Sequence, residues 1–414
     1  MHRLTQRRMY MDADRQTKTA VQLATLISML SIGSLMMIMP LGPDFVRELD
    51  MPADRIGYLA GAATLAAALG SALSAAWLDR FERKPVLLTL LVLRFALLGA
   101  CAGASDAHQL TWLFVLSAFI AGPLGAVLMA SLLDLIPPAE RGRQLARLAM
   151  GFSLAAIVVT PLALELARWL GWRAPMLGIA AVGLALAFGC HILFLNPQPH
   201  PRPPGVLRPL LRSPLCLGAL ALVALQMFSH FLLVPHFSAF FQFNLGFARE
   251  HIGVLYLCGG LASLAAVRLG GSWIDRGHAR RLVLSSSGLL ALITLLGFAL
   301  LVPLPLLLVF SLFMALSTLR TSSTTTVAAS IPAPHQRAAF MALHGSVSNV
   351  AAGLGSLASA AYLGTAADGE LTGFEHLAGF HVVLTLTAGA TLLLLLAALR
   401  RHGHLPTPTT TSRA

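Results

Sequence analysis

Long apolar stretches separated by short polar segments recur along the whole chain. Each stretch has about 20 residues, enough for an α-helix to cross the hydrocarbon of a bilayer. Helices are expected because an open sheet would leave backbone groups unbonded in lipid. The pattern predicts twelve spans, at 19–42, 54–77, 85–104, 110–133, 145–168, 175–195, 215–240, 252–273, 282–301, 305–330, 338–363 and 378–399.

The composition agrees with a polytopic membrane protein. Of 414 residues, 57% are hydrophobic and only 11% are charged, against about 25% charged residues in soluble domains. The four cysteines have no CxxC spacing, so we expect buried apolar residues rather than disulfides or a metal site. The first span is too long for a signal peptide and lacks a small-residue cleavage site. No cofactor is expected.

The net charge of +12 could indicate nucleic-acid binding, but the distribution of the charge favours another cause. With the N-terminus placed in the cytoplasm, 21 of the 29 Lys and Arg residues fall in cytoplasmic segments. Five fall on the opposite side and three within spans. Such an excess is the positive-inside pattern. It predicts that both termini are cytoplasmic and that nucleic acid is not a partner.

A proline-rich segment, 196–214, divides the chain into two halves of six spans. It carries seven of the 23 prolines and therefore cannot be helical throughout. The predicted domains are a cytoplasmic N-terminal segment at 1–18, a six-helix bundle at 19–195, a cytoplasmic linker at 196–214, a second six-helix bundle at 215–400 and a cytoplasmic tail at 401–414.

The two halves repeat one pattern. The segment WLDR at 77–80 recurs as WIDR at 273–276, an offset of 196 residues, and nine of the 25 residues from 56 to 80 are identical at that offset. An even number of spans per repeat gives both halves the same membrane topology. We therefore expect an all-α protein of twelve transmembrane helices in two pseudo-symmetric bundles, with a substrate site near the midplane that opens alternately to each side.

The repeated turn resembles the signature loop of the major facilitator superfamily, Gly-x-x-x-Asp-Arg-x-Gly-Arg-Arg/Lys, and the resemblance extends over essentially all twelve spans. The turn at 137–143 also resembles the loop after the fourth helix of that family. In this chain Ala75 and Glu82 replace the two glycines of the first copy. The matching residues are Asp79, Arg80, Arg83 and Lys84 in the first half and Gly271, Asp275 and Arg276 in the second.

The segment 151–175 resembles the fifth helix of the drug and metabolite efflux members, which are proton antiporters. Pro161 and the sequence Gly171-Trp172-Arg173 match that helix. Efflux members often carry an arginine in the fourth helix, where this chain has the segment Ser117–Phe119.

The resemblance also implies a gate. Asp79 would complement the N-terminus of helix 11, and Arg83 would pair with Asp134, so that the two bundles are latched together. The alternative is that these charges only set the topology.

Two ionisable residues inside predicted spans are candidates for function, because buried charges in membranes are costly and usually functional. Glu165 is the candidate for proton coupling, unless it forms a solvated pair with Arg168 near the outer interface. Arg320 is about 16 Å deep at 1.5 Å per residue and is the first candidate to bind an anionic substrate group, unless it bonds a backbone carbonyl. Arg94 and Arg268 also lie within spans, with no role assigned.

Other polar residues in the spans could contact the substrate. The expected substrate-binding residues are Arg320, Ser322, Thr325, His230, Asn349 and Met36. The histidines could instead be packing residues, and Met36 with neighbouring methionines and histidines could form a copper path.

The sequence predicts a monomeric inner-membrane transporter that exports a small amphipathic or anionic molecule in exchange for protons. Uptake of a siderophore, a sugar acid or a metal is the alternative within transport. A membrane-embedded enzyme would need clustered catalytic residues, and motifs such as HExxH or GxSxG do not occur in the chain. A sensor without transport would leave no mark in the sequence.

Overall fold

The computed structural model of the chain describes residues 2–74, 80–136, 151, 154–194, 207–276, 279–333 and 336–401. Helices dominate it. They are α1 His2–Met36, α2 Gly42–Leu49, α3 Arg55–Ser74, α4 Arg83–Cys101, α5 Ala107–Leu135, α6 Thr160–Leu170, α7 Arg173–Leu193, α8 Leu207–Arg212, α9 Pro214–Leu233, α10 Phe237–Ala239, α11 Ile252–Asp275, α12 Ala279–Thr294, α13 Leu306–Ser330, α14 Arg337–Tyr362 and α15 Phe374–Arg401.

Short irregular helical segments interrupt or extend several of these helices. They are 3₁₀ turns at Val234–His236 and Arg249–His251, and π turns at Ala155–Val159, Phe240–Asn244 and Leu295–Ala299. The first π turn lies directly before Pro161 and lets the Thr160 amide bond the Ala155 carbonyl. Because a proline ring clashes with the carbonyl four residues earlier, the wider turn accommodates Pro161 within the span.

Ten helices among the described residues are long and apolar enough to cross a membrane. They correspond to ten of the twelve predicted spans. The eleventh span is the helix α14, and α6 with the π turn before it forms the described part of the fifth span. The predicted helical class and span positions are therefore confirmed.

Two details differ from the prediction. The first span ends at Met36 rather than at residue 42, and residues 37–41 form turns before α2. Pro40 and Pro43 explain this break, because proline cannot continue a helix but fits the first turn of a new one. The loop before α15 also forms a two-stranded antiparallel hairpin, with β1 at Gly364–Thr365 and β2 at Leu371–Thr372.

The two halves of the sequence use equivalent helix contacts. In the first half, α4 packs against α5 and α7, and α1 packs against the same two helices. In the second half, α12 packs against α13 and α15, and α9 packs against the same two helices. The repeat seen at an offset of 196 residues is thus a repeat of packing as well as of sequence.

Small residues bring α3 and α5 into close contact. A Cβ at Gly122 would lie 2.0 Å from the Ala67 carbonyl oxygen, and one at Gly70 would lie 2.2 Å from the Phe119 carbonyl oxygen. Backbones this close exclude any side chain at either position.

The chain divides into two compact units that do not follow the linear boundary between the halves. One contains Met1–Arg202, Val234–Gly260 and Ser356–Thr372, and the other contains Pro203–Leu233, Leu261–Gly355 and Gly373–Ala414. Most of the predicted linker lies outside the described residues, and α8 forms its end.

Candidate functional site

Arg320 lies on α13, in the core of the second half, and is 1% exposed. Its Nη1 donates a hydrogen bond to Thr385 Oγ1 on α15, at 3.2 Å. Its Nε and Nη2 have no hydrogen-bond partner among the described residues. These two nitrogens form the edge of the guanidinium that binds a carboxylate through two parallel hydrogen bonds. Arg320 is therefore anchored through one nitrogen, and the two nitrogens of its anion-binding edge are unpaired among the described residues.

His381 continues this network on the other side of Thr385. Its Nε2 lies 3.2 Å from Thr385 Oγ1, one helical turn away, and its Nδ1 lies 2.8 Å from the Ser229 carbonyl oxygen on α9. The ring is fully buried. Residues from α9, α13 and α15 thus meet in one polar network inside the second half.

Further polar and aromatic groups enclose this network. His230 Nδ1 lies 2.9 Å from Ser317 Oγ, and Gln226 donates to Thr324 Oγ1 at 2.9 Å. Phe313 lies between the two histidines, with its centroid 5.7 Å from each imidazole ring.

Arg94 occupies the core of the first half in a different way. It lies on α4 and is fully buried. Its Nη2 donates to Ser34 Oγ of α1 at 2.7 Å, and its Nη1 donates to Ser117 Oγ of α5. Both terminal nitrogens therefore have partners, and only Nε lacks one among the described residues. This arrangement ties three helices together and leaves the guanidinium less available to a ligand.

The remaining substrate candidates are distributed between buried and exposed positions. Ser322, Thr325 and Met36 are half-buried, and Asn349 is exposed. Arg268, the third arginine that the sequence places within a span, is exposed.

Glu165 is less buried than its position in the predicted fifth span suggested. It lies five residues before the end of α6 and pairs with Arg168, whose Nε is 2.9 Å from Glu165 Oε2. The two side chains are 37% and 35% exposed, respectively. This is the partly solvated pair that the sequence left open as the alternative.

The predicted ion pair of the signature loop is present. Arg83 is 1% exposed, and its Nε lies 3.3 Å from Asp134 Oδ2. Arg80 and Arg276 are exposed, and Lys84 is half-buried. Asp79 and the turn at 137–143 lie outside the described residues, and of Asp275 only its position at the end of α11 is described.

A second polar cluster joins the helix ends remote from the linker, and we call it the distal clasp. All its members lie in the unit that contains the first half. Arg249, before α11, donates to both carboxylate oxygens of Asp44 on α2, at 2.9 and 2.8 Å. Arg47 donates to Gln242 at 2.9 Å. The other bonds run from Ser238 Oγ to the Pro40 carbonyl, from Ser356 Oγ to the Gly57 carbonyl, and from the Asp54 amide to Thr365 Oγ1.

The distal clasp links segments that are far apart in sequence. The second-half hairpin is held as well, because the side-chain amide of Asn244 bonds both the N–H and the C=O of Leu371. The contacts that join first-half to second-half residues would have to break for the distal ends of the two halves to separate, whereas the bonds of Asn244 to Leu371 lie within the second half.

A groove of about 720 Å³ lies beside the clasp, between the start of α3 and the start of α5. Its walls include Asp50, Arg55, Tyr58, His108 and Trp112, and none of the sequence candidates lines it. Among the described residues, no group of three or more His, Cys, Asp or Glu side chains could hold a metal ion.

Sequence reasoning missed His381, Thr385 and the distal clasp. A signal for the first two existed, because a histidine and a threonine four residues apart share one face of an apolar helix. The pairing of Asp44 with Arg249 had no such signal, since the two residues are 205 positions apart.

Comparisons with known proteins agree with this architecture. The sequence profile of the Major Facilitator Superfamily matches residues 23–267 and 219–413. A chloramphenicol resistance protein of Streptomyces lividans is 29% identical over 153 residues, which are 37% of this chain. That match spans only 39% of the relative's length.

Solved structures of transporters share the fold at low sequence identity. A bacterial homologue of the human lysosomal transporter Spinster, inward-facing and unoccupied, aligns with a TM-score of 0.77 and 15% identity over 95% of this chain and 99% of the other. The xylose transporter XylE of E. coli aligns with a TM-score of 0.68 and 13% identity over 91% and 99%. Since the family profile covers both halves of the sequence, this chain is a member of the Major Facilitator Superfamily of membrane transporters.

Proposed function

We propose that the protein is a secondary active transporter that exports a small amphipathic or anionic molecule in exchange for protons, by alternating access. Membership of the family supports transport. The partial match to a chloramphenicol resistance protein and the resemblance of residues 151–175 to efflux members support export. Uptake with protons remains the rival direction.

The proposal that the substrate is anionic depends on Arg320. A buried cation without a counter-ion is strongly unfavourable, and effective penalties are several kcal/mol per ion. Arg320 nevertheless lies in the core of the second half with its carboxylate-binding edge unpaired among the described residues. An anionic group of the substrate would satisfy both nitrogens at once. Arg94 lacks this property because serine hydroxyls occupy both of its terminal nitrogens.

The rest of the substrate would contact the less polar surface around this anchor. Ser322, Thr325 and His230 are half-buried on the helices that carry or flank Arg320, and Asn349 and Met36 complete the proposed set. Hydroxyl and amide groups would orient the substrate, while the thioether of Met36 would accept an apolar surface of variable shape.

The distal clasp supplies the gate that alternating access requires. Its ion pair and hydrogen bonds hold the distal ends together, and we propose that they break when the carrier opens outward. The signature-loop residues Asp79, Arg80, Arg83, Lys84, Asp134, Asp275 and Arg276 would form the corresponding latch on the cytoplasmic side. The proposed location is the inner membrane, with both termini in the cytoplasm and the chain acting as a monomer.

Glu165 is the residue proposed for proton coupling. Because its pair with Arg168 is partly exposed, the structure supports this role less than it would for a fully buried carboxylate. Proton coupling itself is proposed from the resemblance to the antiporter group.

Counterflow in proteoliposomes tests the proposed function. Liposomes preloaded with a candidate amphipathic anion should take up its labelled form faster than protein-free liposomes. Arg320→Gln should remove this exchange, whereas Arg320→Lys, which keeps the charge but not the bidentate edge, should weaken it. Equal exchange by Arg320→Gln and the wild type would contradict the role of Arg320. An absence of flux for every candidate would favour a sensor.

A further inference from the structure

The groove between the starts of α3 and α5 combines an apolar floor with a charged rim, and all its residues belong to the unit that contains the first half. Its volume of about 720 Å³ lies within the range of roughly 300–1,000 Å³ that is usual for small-molecule sites. The floor includes Leu49, Met51 and Leu59, which are at most 7% exposed. The groove is therefore large enough for a ligand that is partly apolar and partly charged.

One side of the rim carries an arginine and a carboxylate that are not paired. Arg55 and Asp50 are exposed, and neither side chain forms an ion pair or a hydrogen bond among the described residues. Two other arginines on the same distal side, Arg173 and Arg249, each bond a carboxylate. Charges of both signs are thus available to a ligand at the turn between α2 and α3.

The start of α5 forms the other side of the rim. Asp106 caps this helix, because its Oδ1 accepts from the Gln109 backbone amide at 2.8 Å. Its Oδ2 has only a long contact of 3.5 Å with Ser105 Oγ. His108 is exposed, and its ring has no hydrogen-bond partner in the part of the chain that the structure describes. This side therefore adds a second carboxylate and an imidazole.

The groove lies at the membrane surface, because both helices beside it begin there. The spans formed by α3 and α5 start at Arg55 and Ala107. Tyr58 and Trp112 follow within the first two turns and are 40% and 72% exposed. Exposed Trp and Tyr side chains at the ends of spans form the aromatic belt at the boundary between membrane and water. Leu116, one turn after Trp112, is exposed as well, so this face of α5 continues into the hydrocarbon.

A phospholipid with an amine in its head group matches these charges. Arg55 and the imidazole of His108 can donate to phosphate oxygens, and the carboxylates of Asp50 and Asp106 can accept from an ammonium group. Phosphatidylglycerol has the phosphate but no amine, and its net negative charge would face two carboxylates. Phosphatidylcholine has a quaternary ammonium without an N–H to donate. Phosphatidylethanolamine satisfies both sides of the rim.

We propose that this groove binds the head group of a phosphatidylethanolamine molecule from the leaflet on the distal side. Arg55 binds its phosphate, Asp50 and Asp106 bind its ammonium group, and its acyl chains pass along Trp112 and Leu116. The lipid would bridge the turn after α2 to the start of α5. This inference goes beyond the proposed function, because none of the residues assigned there to substrate, proton or gate lines the groove.

Quenching of Trp112 fluorescence by brominated lipids tests the proposal. The full-length protein is reconstituted in vesicles of phosphatidylethanolamine, phosphatidylglycerol and phosphatidylcholine in equal parts, and one lipid at a time carries bromine on its acyl chains. The composition of head groups is then the same in every sample. The contribution of Trp112 is the signal that is lost in Trp112→Phe. Brominated phosphatidylethanolamine should quench it about threefold more than either other lipid, because partly solvated ion pairs change an affinity by only a few-fold.

Two variants of the rim should remove most of this preference. Arg55→Gln removes the phosphate donor, and Asp50→Asn removes one acceptor of the ammonium group. Asp50 has a left-handed backbone conformation, with φ of 49°, which asparagine also adopts, so this variant changes the charge without straining the turn. Glu48→Gln is the matched control. It removes an exposed carboxylate two residues away that does not line the groove, and it should keep the preference.

Trp169 provides a second control within the same protein. It is 73% exposed, as Trp112 is at 72%, but it lies near the end of α6 and does not line the groove. The signal lost in Trp169→Phe should show no preference for phosphatidylethanolamine. A similar preference at both tryptophans would mean general enrichment of this lipid around the protein and would overturn the site.

The other outcomes are equally clear. A preference that persists in both Asp50→Asn and Arg55→Gln would overturn the head-group site, and so would equal quenching of Trp112 by all three lipids in the wild type. Stronger quenching by phosphatidylglycerol would contradict the role of the two carboxylates. None of these measurements involves transport, so their failure leaves the proposed export intact, and an absence of flux in the counterflow experiment leaves the lipid site intact.

Discussion

The distal clasp predicts that removing one charge will open the outer side of the carrier. Asp44 and Arg249 are 14% and 19% exposed and are joined by two hydrogen bonds. Exposed ion pairs contribute about 0–1 kcal/mol, and breaking a buried one costs about 3–5 kcal/mol. This mostly buried pair should lie between, at about 2 kcal/mol. Since 1.4 kcal/mol is a factor of ten, Asp44→Asn should raise the open population roughly 30-fold.

Thiol labelling from the outside measures that population. Ser356, which is fully buried and bonds the Gly57 carbonyl, is replaced by cysteine as the reporter. Cys258, which is half-buried, is replaced by serine, and the three other cysteines are buried. Labelling by a membrane-impermeant maleimide then proceeds through the open state, so its rate should rise roughly 30-fold in Asp44→Asn.

Glu48→Gln is the matched control for this experiment. It removes the same charge from the same short helix, but it breaks an exposed pair with Arg173 that lies within the first half. Its labelling rate should stay within about twofold of the parent, because such pairs contribute little. Equal rates for Asp44→Asn and Glu48→Gln would refute the assignment of the clasp as a gate.

Three other substitutions test separate parts of the account. Gly122→Ala should destabilise the purified protein by about 1–3 kcal/mol, because the added Cβ would meet the Ala67 carbonyl oxygen. Gly125→Ala is the control and should keep the wild-type melting temperature, because a Cβ added there would have no atom within 4 Å. Equal melting temperatures for the two variants would contradict the close packing of α3 on α5. Arg83→Leu and Asp134→Leu should each lower the free energy of unfolding, and the double variant should lower it by less than the sum of the two, because both single changes remove the same ion pair; strictly additive losses would argue against the pair. Glu165→Gln should weaken the response of transport to a pH gradient if this carboxyl, paired with Arg168, carries the proton; a response equal to that of the wild type would argue against Glu165 as the coupling group.

The span pattern and the repeat were predictable from sequence, because they depend on local hydrophobicity and on a motif that recurs, and the ion pair of Arg83 with Asp134 was implied by the family resemblance. The position of Arg320 well inside an apolar helix was predictable as well, from residue count alone. Which groups it meets was not, since Thr385 comes from a helix 65 residues further along. For Glu165 the sequence suggested more burial than the structure shows. The residue lies in an apolar run, but its helix ends five residues later and Arg168 lies one turn away, so the two side chains form a partly exposed pair.

The first-half arginine illustrates why charge alone does not identify a binding site. Arg94 and Arg320 are equally buried and look equivalent in sequence. The serines on α1 and α5 occupy both terminal nitrogens of Arg94, while a single threonine anchors Arg320 and leaves its bidentate edge unpaired among the described residues. Only the three-dimensional arrangement of the hydroxyl groups distinguishes an arginine with a structural role from one that is a candidate to bind substrate.

Accumulation of an amphipathic anion by proteoliposomes under an imposed pH gradient tests the central claim most directly. With the interior more acidic than the exterior, protons leave through the carrier, and 2-naphthalenesulfonate should accumulate inside above its external concentration and above the level in protein-free liposomes. Arg320→Gln should abolish the accumulation. Accumulation only when the exterior is the more acidic side would indicate uptake together with protons, and no accumulation under either gradient would contradict proton-coupled transport of such anions.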